Sequence, residues 1–460
     1  MPDPAAAMAG HLLALLRSLP EARRCWVAYS GGLDSRVLLD LMAGLRQRLT
    51  LALAAVHVDH GLHPESVAWA GHCEARCADL GVRLVHLRVQ VRSGPGPEAA
   101  ARAARYGVLA DLLNPGDLLL TAHHRDDQAE TLLLALLRGA GVHGLAAMPV
   151  VAPLGSGFLV RPLLPYGRAE LRAYALARGL DWVDDPSNLH LDLDRNWLRH
   201  RILPLLAERW PAASRTLARS AGHCAEAAAL MDRLAAAEAA CLTGRRPGTL
   251  SLVGLRRLDA ALCRAVLRHW IGSLGLAAPS TSQLARIMTE VLHARPDADP
   301  LVAWAGCEVR RYRDDLFALP PLPKAPVGEE LIWTAGVLAL PGALGRLCLR
   351  DASGGELAPL DLGLGPLRVC FGATGLRCRP PGSVHHRPLK HLYQEAGVPP
   401  WLRGYIPLIF SSLGLVAVGA LWVCAGEGPG TDRVVRVDWV GHPWEGSGLL
   451  GRPGRGDAPA

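Results

Sequence analysis

Apolar runs alternate with helix-patterned segments along roughly the first 200 residues, and this alternation constrains the fold more than any other feature. "CWVAYS" from Cys25 precedes a segment that sets Val37, Leu38, Leu41, Met42 and Leu45 on one helical face. Next come "LALAAVHVDH", a helix from about Pro64, "LVHLRVQV", a helix from about Glu98, and "DLLLTAHH". A helix over Asp126 to Arg138, the run "FLVRPLL" and a helix from about Arg168 complete the series. Such alternation predicts βαβ units: an α/β, Rossmann-like parallel sheet with helices on both faces. Ligands of these sheets sit beyond the carboxyl ends of the strands.

The loop "SGGLDS", Ser30 to Ser35, lies at one such end. Gly31 and Gly32 let backbone amides approach a ligand, and the following helix start adds partial positive charge. With hydroxyls from Ser30 and Ser35, the loop suits a phosphate or pyrophosphate. It is neither a Walker A loop nor a GxGxxG turn. Asp34 would repel phosphate, but makes sense as a Mg²⁺ ligand or a helix cap. A plain glycine-rich turn is the alternative, which the strand–loop–helix context disfavours.

Three further stretches carry polar residues to the same edge. "HVDHGLHPES", from His57, ends the second strand and includes Asp59. The stretch from Thr121 to Pro149 holds His123, Asp127, Gln128, Glu130 and Arg138. Asp127 and Glu130, three apart, share a helical face, as a metal site or an acid/base pair requires; solvated helix charges share that spacing too. "DDPSNLHLDLDRNWLRHRILPLL" places Asp185, Ser187 and Asn188 before Arg195, Asn196 and Arg199. This junction reads either as a capped surface helix or as a polar site for a base and an amino acid.

"SGGLDS" resembles the pyrophosphate loop of the N-type ATP pyrophosphatases, the PP-loop superfamily. With "LLRGAGVHGLAAMP" and "RNWLRH", the chain resembles the tRNA(Ile)-lysidine synthetases over nearly its whole length. "LSLVGLRRLDAALCRAVLRHWI", "PSTSQLARI" and "VRRYRDDLFAL" resemble that family's substrate-binding domain. "RPLKHLYQEAGVPPWLRGYIPLIF" resembles the C-terminal domain of its longer members. The resemblance implies a PP-loop catalytic domain over 1–205 and a mainly helical tRNA-binding domain over 206–320. A linker over 321–328, an α+β C-terminal tRNA-binding domain over 329–445 and a disordered tail over 446–460 follow.

The implied reaction is a ligation forming a C–N bond. ATP adenylates the carbon-2 oxygen of the wobble cytidine in the CAU-anticodon isoleucine tRNA, and free L-lysine then displaces AMP. ATP and Mg²⁺ are the implied cofactors. Ser30, Gly31, Gly32, Leu33, Asp34, Ser35, His57, Asp59 and His123 are the expected nucleotide contacts. Asp34, Asp127 and Glu130 are the expected metal ligands and, with Arg195 and Arg199, the catalytic set. Arg138, Asp185, Ser187, Asn188 and Asn196 are expected at lysine and cytidine, with the proton acceptor open among Asp127, Glu130 and Asp185. Arg310, Arg311, Arg313, Arg387, Lys390 and Arg403 are expected on the tRNA body; a solvated surface is the alternative for each cluster. A homodimer is left open.

Composition agrees with these expectations. The 460 residues carry a formal charge of +7, compatible with a polyanionic partner. Lys324 and Lys390 are the only lysines, a bias that a GC-rich genome explains. The 11 cysteines include no CxxC pair, which with the absence of a basic leader suggests a reducing cytoplasm. That absence also disfavours a tRNA thiolation enzyme, which carries sulfur on paired cysteines. No glutaminase-like segment supports an amidating synthetase, and an intact loop disfavours a non-catalytic RNA-binding protein. "YIPLIFSSLGLVAVGALWVCAG", though uncharged, reads as two short strands around a turn rather than a membrane span.

Overall fold

A computed structural model describes residues 4–20, 22–49, 51–59, 66–89, 97–186, 190–295, 298–351, 354–359, 365–380, 383–424 and 436–445. Ser187, Asn188, the turn after Asp59 and the expected tail fall outside these residues. The chain divides into two compact units, Met1–Leu230 and Met231–Ala460.

The first unit is built on a six-stranded sheet in the order β3-β2-β1-β4-β6-β5. Its strands are β1 (Arg24–Ala28), β2 (Ala52–Asp59), β3 (Arg83–Arg88), β4 (Leu118–Leu120), β5 (Val151–Leu154) and β6 (Gly157–Val160). All neighbours pair in parallel except β5, which runs antiparallel to β6. The central strands are buried on both faces: Cys25, Trp26 and Val27 of β1 and all of β4 are at most 4% exposed. Continuous apolar runs rather than alternation therefore mark them. The edge strand β5, absent from the sequence reading, contains Pro153, which an edge tolerates.

Helices α1 (Pro4–Ser18), α2 (Leu33–Leu45), α3 (Ser66–Asp79), α4 (Pro97–Leu112), α5 (Arg125–Leu137), the short α6 (Val142–Leu145) and α7 (Arg168–Ala177) cover the sheet. Helix α2 follows β1 and packs on α1 and α7, which buries Val37 to Met42 on every side. The strand order reverses between β1 and β4, so their carboxyl ends flank a topological switch point. Beyond α7, α8 (Asp194–Trp197) passes through a π turn at Leu198–Ile202 into α9 (Leu203–Arg209), and α10 spans Ala213–Cys241.

The second unit begins with helices around a four-stranded antiparallel sheet, in which Leu250–Ser251, Asp315–Leu319, Cys307–Tyr312 and Leu301–Trp304 lie side by side. The stretch from Leu301 to Leu319 forms two successive hairpins. The second turn passes through Arg313 at φ 55°, a left-handed residue that no glycine or asparagine announces. The C-terminal part holds a five-stranded antiparallel sheet: Glu330–Trp333, Leu367–Cys370, Leu408–Ser411, Gly414–Val418 and Trp422–Val423. The uncharged segment from Tyr405 thus forms strands and turns. No described helix is long and apolar enough to cross a membrane.

The segment expected as a linker is anchored. The Pro323 carbonyl accepts from the Tyr405 hydroxyl, and the Leu322 amide donates to Glu308 at 3.2 Å.

Candidate active site

The loop after β1 is held by its own serines. Ser30 Oγ and Ser35 Oγ lie 3.1 Å apart, the Ser30 amide donates to Ser35 Oγ at 3.2 Å, and Ser35 Oγ donates to the Gly32 carbonyl at 3.0 Å. Gly31 has φ 86°, and an added Cβ would meet Cys73 Sγ at 3.1 Å. Conformation and space both require glycine there. Gly32 is the N-cap of α2 with no side-chain cap, so Asp34 is not the capping residue that one reading allowed. The first turn of α2 keeps its amides for an anion.

At the end of β4, His124 caps α5. Its Nδ1 accepts from the Asp127 amide at 3.3 Å, while Asp127 Oδ2 accepts from the His124 amide at 3.0 Å. The same ring, 2% exposed, brings Nε2 to 3.6 Å from Asp34 and 3.5 Å from Asp127. Burial disfavours a charged ring, but Asp34, Asp127 and Asp126 outweigh it and raise the His124 pKa. Burial likewise opposes ionisation of Asp127, yet His124, Arg195 and Arg199 hold its carboxyl below the usual range. Neighbouring His123 is desolvated beside Arg161, Arg102 and Arg195, which pushes its pKa down to about 3 despite Asp127. Their surroundings thus shift these two adjacent histidines in opposite directions. Sequence reasoning named only His123; the signal for His124 was its place just before the helix that starts at Arg125.

Asp127 and Glu130 do share a face of α5, and opposite them stand Arg195 and Arg199, four apart. Arg195 donates to Glu130 Oε2 at 2.7 Å and Asp127 Oδ1 at 3.1 Å. Arg199 donates to Glu130 Oε1 at 2.7 Å, Glu130 Oε2 at 2.9 Å and Asp127 Oδ1 at 2.8 Å. Glu130 is fully buried, and this two-plus-two charge balance makes its burial tolerable. Asn196, 7% exposed, donates to the His190 carbonyl at 2.9 Å and so fixes the turn that presents the arginines.

Both Glu130 oxygens accept from guanidinium groups, which sets Glu130 apart from Asp34 within the expected metal set. Among the described residues no group of three metal-ligating side chains assembles. Asp34 differs: its Oδ1 is buried without a hydrogen-bond partner. One hard oxygen beside a phosphate loop fits Mg²⁺, which keeps waters and takes one or two carboxylates plus phosphates.

A cleft of about 280 Å³ opens beside the loop, bounded by Asp34, Val56, Val58, Thr121, His123 and α4. Arg102, Arg105 and Tyr106 of α4 line it and were missed by the sequence reading. Arg102 lies 5.0 Å from the Tyr106 ring. The signal was "ARAARY", two arginines one turn apart ahead of a tyrosine.

His57 and Asp59 depart from expectation. His57 is 6% exposed and hydrogen-bonds the Tyr29 carbonyl at 2.9 Å, so it braces the loop rather than facing the cleft. Asp59 ends β2 with its carboxylate 3.7 Å from Arg88. Arg138 sits on the surface, 3.8 Å from the exposed Asp194. Asp185 is half-buried in the segment after α7, where the Val183 amide donates to the Gly31 carbonyl at 3.0 Å.

The arginines expected on RNA are partly committed elsewhere. Arg311 is 5% exposed and donates to the Ala294 carbonyl at 2.6 Å and to that of Arg295, so it serves the interior and not RNA. Arg310 pairs with Glu308 at 2.9 Å and lies over Trp401, while Arg313 donates to the Gln394 carbonyl. Arg387 is paired with Glu395, and Arg403 donates to the Val398 carbonyl at 3.0 Å. Lys390 is exposed and makes no ion pair among the described residues.

Family models match the chain in three places: a PP-loop domain over 5–206, a TilS substrate binding domain over 250–317 and a TilS substrate C-terminal domain over 367–439. The tRNA(Ile)-lysidine synthase of Methylococcus capsulatus is 48% identical over 416 residues, covering 89% of this chain and 94% of that one. That of Alkalilimnicola ehrlichii is 47% identical, covering 87% and 90%. That of Coxiella burnetii is 40% identical, covering 90% and 92%. The loop after β1, the α5 carboxylates and their arginine partners all lie within the PP-loop match, and the chain belongs to the tRNA(Ile)-lysidine synthase family.

Proposed function

We propose that this chain is a C–N bond-forming ligase that converts the wobble cytidine of a CAU-anticodon isoleucine tRNA to lysidine, using ATP and free lysine. One observation carries the reading. His124 reaches both Asp34, beside the phosphate loop, and Asp127, in the arginine-bound carboxylate pair, which joins a nucleotide half to a substrate half.

In the first step the carbon-2 oxygen of the cytidine attacks the α-phosphorus of ATP, and pyrophosphate leaves. The amides of the Gly31–Ser35 turn and the start of α2 hold the leaving group; Arg102 and Arg105 supply positive charge across the cleft. Asp34 is the residue that would hold Mg²⁺, an ion that neutralises developing phosphate charge when bound. In the second step an amine of lysine attacks carbon 2, and AMP leaves with the oxygen. An unperturbed lysine amine has a pKa of about 10.4, so it arrives charged and must lose a proton. Asp127 and the half-buried Asp185 are the carboxylates open to take that proton, since Glu130 is fully buried. Arg195 and Arg199 hold Asp127 ionised until then and afterwards face the departing AMP. Extrusion of the base is inexpensive because an anticodon loop is already single-stranded.

The test is transfer of labelled lysine into CAU-anticodon isoleucine tRNA, dependent on ATP and Mg²⁺; no label in the RNA beside an active control refutes the assignment. Asp34→Ala should abolish ATP–pyrophosphate exchange and retain tRNA binding. Equal loss of RNA affinity would instead make Asp34 a fold residue.

A further inference from the structure

The two residues that flank the phosphate loop carry buried polar groups that the reaction does not use. Tyr29 precedes Ser30 and is 1% exposed, and its hydroxyl has no hydrogen-bond partner among the described residues. Arg36 follows Ser35 and is 6% exposed, and its Nε and Nη1 likewise have none. Tyr29 belongs to the core cluster that holds Cys73 and Cys77 of α3, and the Arg36 charge is felt at both Tyr29 and Cys77. Burial raises the Tyr29 pKa, with Cys73, Cys77 and Asp181 acting in the same direction against Arg36, so the hydroxyl keeps its proton and is a donor. The nearby carboxylates are committed elsewhere. Asp40 stands 4.0 Å from Arg36 Nη1, beyond hydrogen-bonding reach, while its other oxygen accepts from Tyr174 at 2.8 Å and lies 3.5 Å from Arg178. Asp181 and Asp79, both exposed, pair with Arg76 at 3.4 Å and 3.1 Å. A buried guanidinium with two idle N–H groups beside an idle hydroxyl is costly unless a negatively charged acceptor completes it. Helix α3 packs closely behind the loop, since Cys73 Sγ is the atom that a Cβ on Gly31 would meet at 3.1 Å. A monatomic ion suits that space better than a phosphate or a carboxylate.

We propose that Arg36 and Tyr29 form a site for a halide-type anion, chloride in the first place, seated against the inner side of the phosphate loop. Arg36 gives Nε–H and Nη1–H, and Tyr29 gives its O–H. The ion supplies the negative charge that Asp40 divides between Arg36 and Arg178. It ties the residue before the loop to the residue after it, and so keeps the loop in shape without touching the nucleotide. The site is independent of the lysine-transfer reading above.

The test follows amide hydrogen exchange of the full chain over Leu33–Leu45 as chloride replaces gluconate at constant ionic strength. Above the dissociation constant, protection should rise by about tenfold for each tenfold rise in chloride, because the ion binds the closed form alone. Tyr29→Phe removes one oxygen and should weaken the apparent chloride affinity by about threefold or more. Arg36→Met should abolish the chloride dependence. A crystal of the unchanged chain grown in bromide should show an anomalous peak within hydrogen-bonding distance of Arg36 Nε and the Tyr29 hydroxyl. Equal chloride dependence in the three chains, or ordered water in place of the bromide peak, overturns the proposal. A bromide peak without chloride dependence in solution marks an adventitious ion only and overturns it too. If Arg36→Met does not fold, Tyr29→Phe and the bromide crystal decide between the same outcomes. None of these readouts involves lysine transfer, so a failed transfer assay refutes the catalytic reading and leaves the anion site standing.

Discussion

Replacing Arg199 by alanine should loosen the clasp between α5 and the helix that starts at Asp194. The variant removes three hydrogen bonds: from Nε to Glu130 at 2.7 Å, and from Nη2 to Asp127 at 2.8 Å and Glu130 at 2.9 Å. Arg195 still holds Glu130 Oε2 and Asp127 Oδ1, but Glu130 Oε1 loses the guanidinium that donates to it. Stripping one partner from a buried ion pair costs about 3–5 kcal/mol. Because Arg195 remains, and the Arg199 side chain is 21% exposed, the lower end, about 3 kcal/mol, applies. At about 1.4 kcal/mol per decade this is roughly a hundredfold rise in local opening. Amide hydrogen exchange by mass spectrometry over Arg125–Leu137 and Leu203–Arg209 reads it without requiring two-state unfolding of the chain. Adding Glu130→Gln should recover part of the loss, since the stranded charge goes with it. A change below about 1 kcal/mol, or full additivity of the two substitutions, would refute the claim that the quartet clamps this edge.

Gly31→Ala forces a Cβ into the left-handed region and to 3.1 Å from Cys73 Sγ; it should cost about 1–2 kcal/mol and raise the KM for ATP, and an unchanged KM contradicts the account. His123 binds its proton more weakly folded, at about 3, than unfolded, at about 6.5, so its contribution is full above pH 6.5 and is lost as pH falls from there towards 3. His124, raised instead, opposes this by contributing below 6.5 and losing that contribution as pH rises through its folded value. Urea midpoints from pH 4 to 7 in His123→Gln should therefore show a shallower acid loss than in the unchanged chain. Trp401→Ala removes the ring over which Arg310 lies and which meets Tyr312 and Phe317 edge-on; hydrogen exchange in Cys307–Leu319 should rise by the equivalent of about 2 kcal/mol.

What the sequence made legible was local. The loop from Ser30 to Ser35 announces itself because two glycines, two serines and an aspartate act within six neighbouring positions. The shared face of Asp127 and Glu130 follows from helical period alone. Spacing shows which side chains stand together and not what stands opposite, so Glu130 read as a metal ligand although its partners lie 65 and 69 residues away. His57 shows the same limit: it lies in the buried middle of β2, and its ring turns inward onto the Tyr29 carbonyl. The basic clusters were legible as charge but not as direction. Arg310 and Arg311 are adjacent in one strand, hence on opposite faces, and Arg311 is the one turned inward.

The hydrogen bond from Val183 to Gly31 has a consequence for synthesis on the ribosome. The loop emerges early, yet its brace arrives about 150 residues later, and Arg195 and Arg199 later still. At about 5–20 residues per second, many seconds separate the appearance of the loop from its closure. A nascent chain halted before Asp181 therefore displays the full signature of a nucleotide site while lacking the parts that fix its shape. Nucleotide retention by ribosome-bound chains of increasing length should rise in one step once the turn at Val183 and the arginine pair have cleared the exit tunnel.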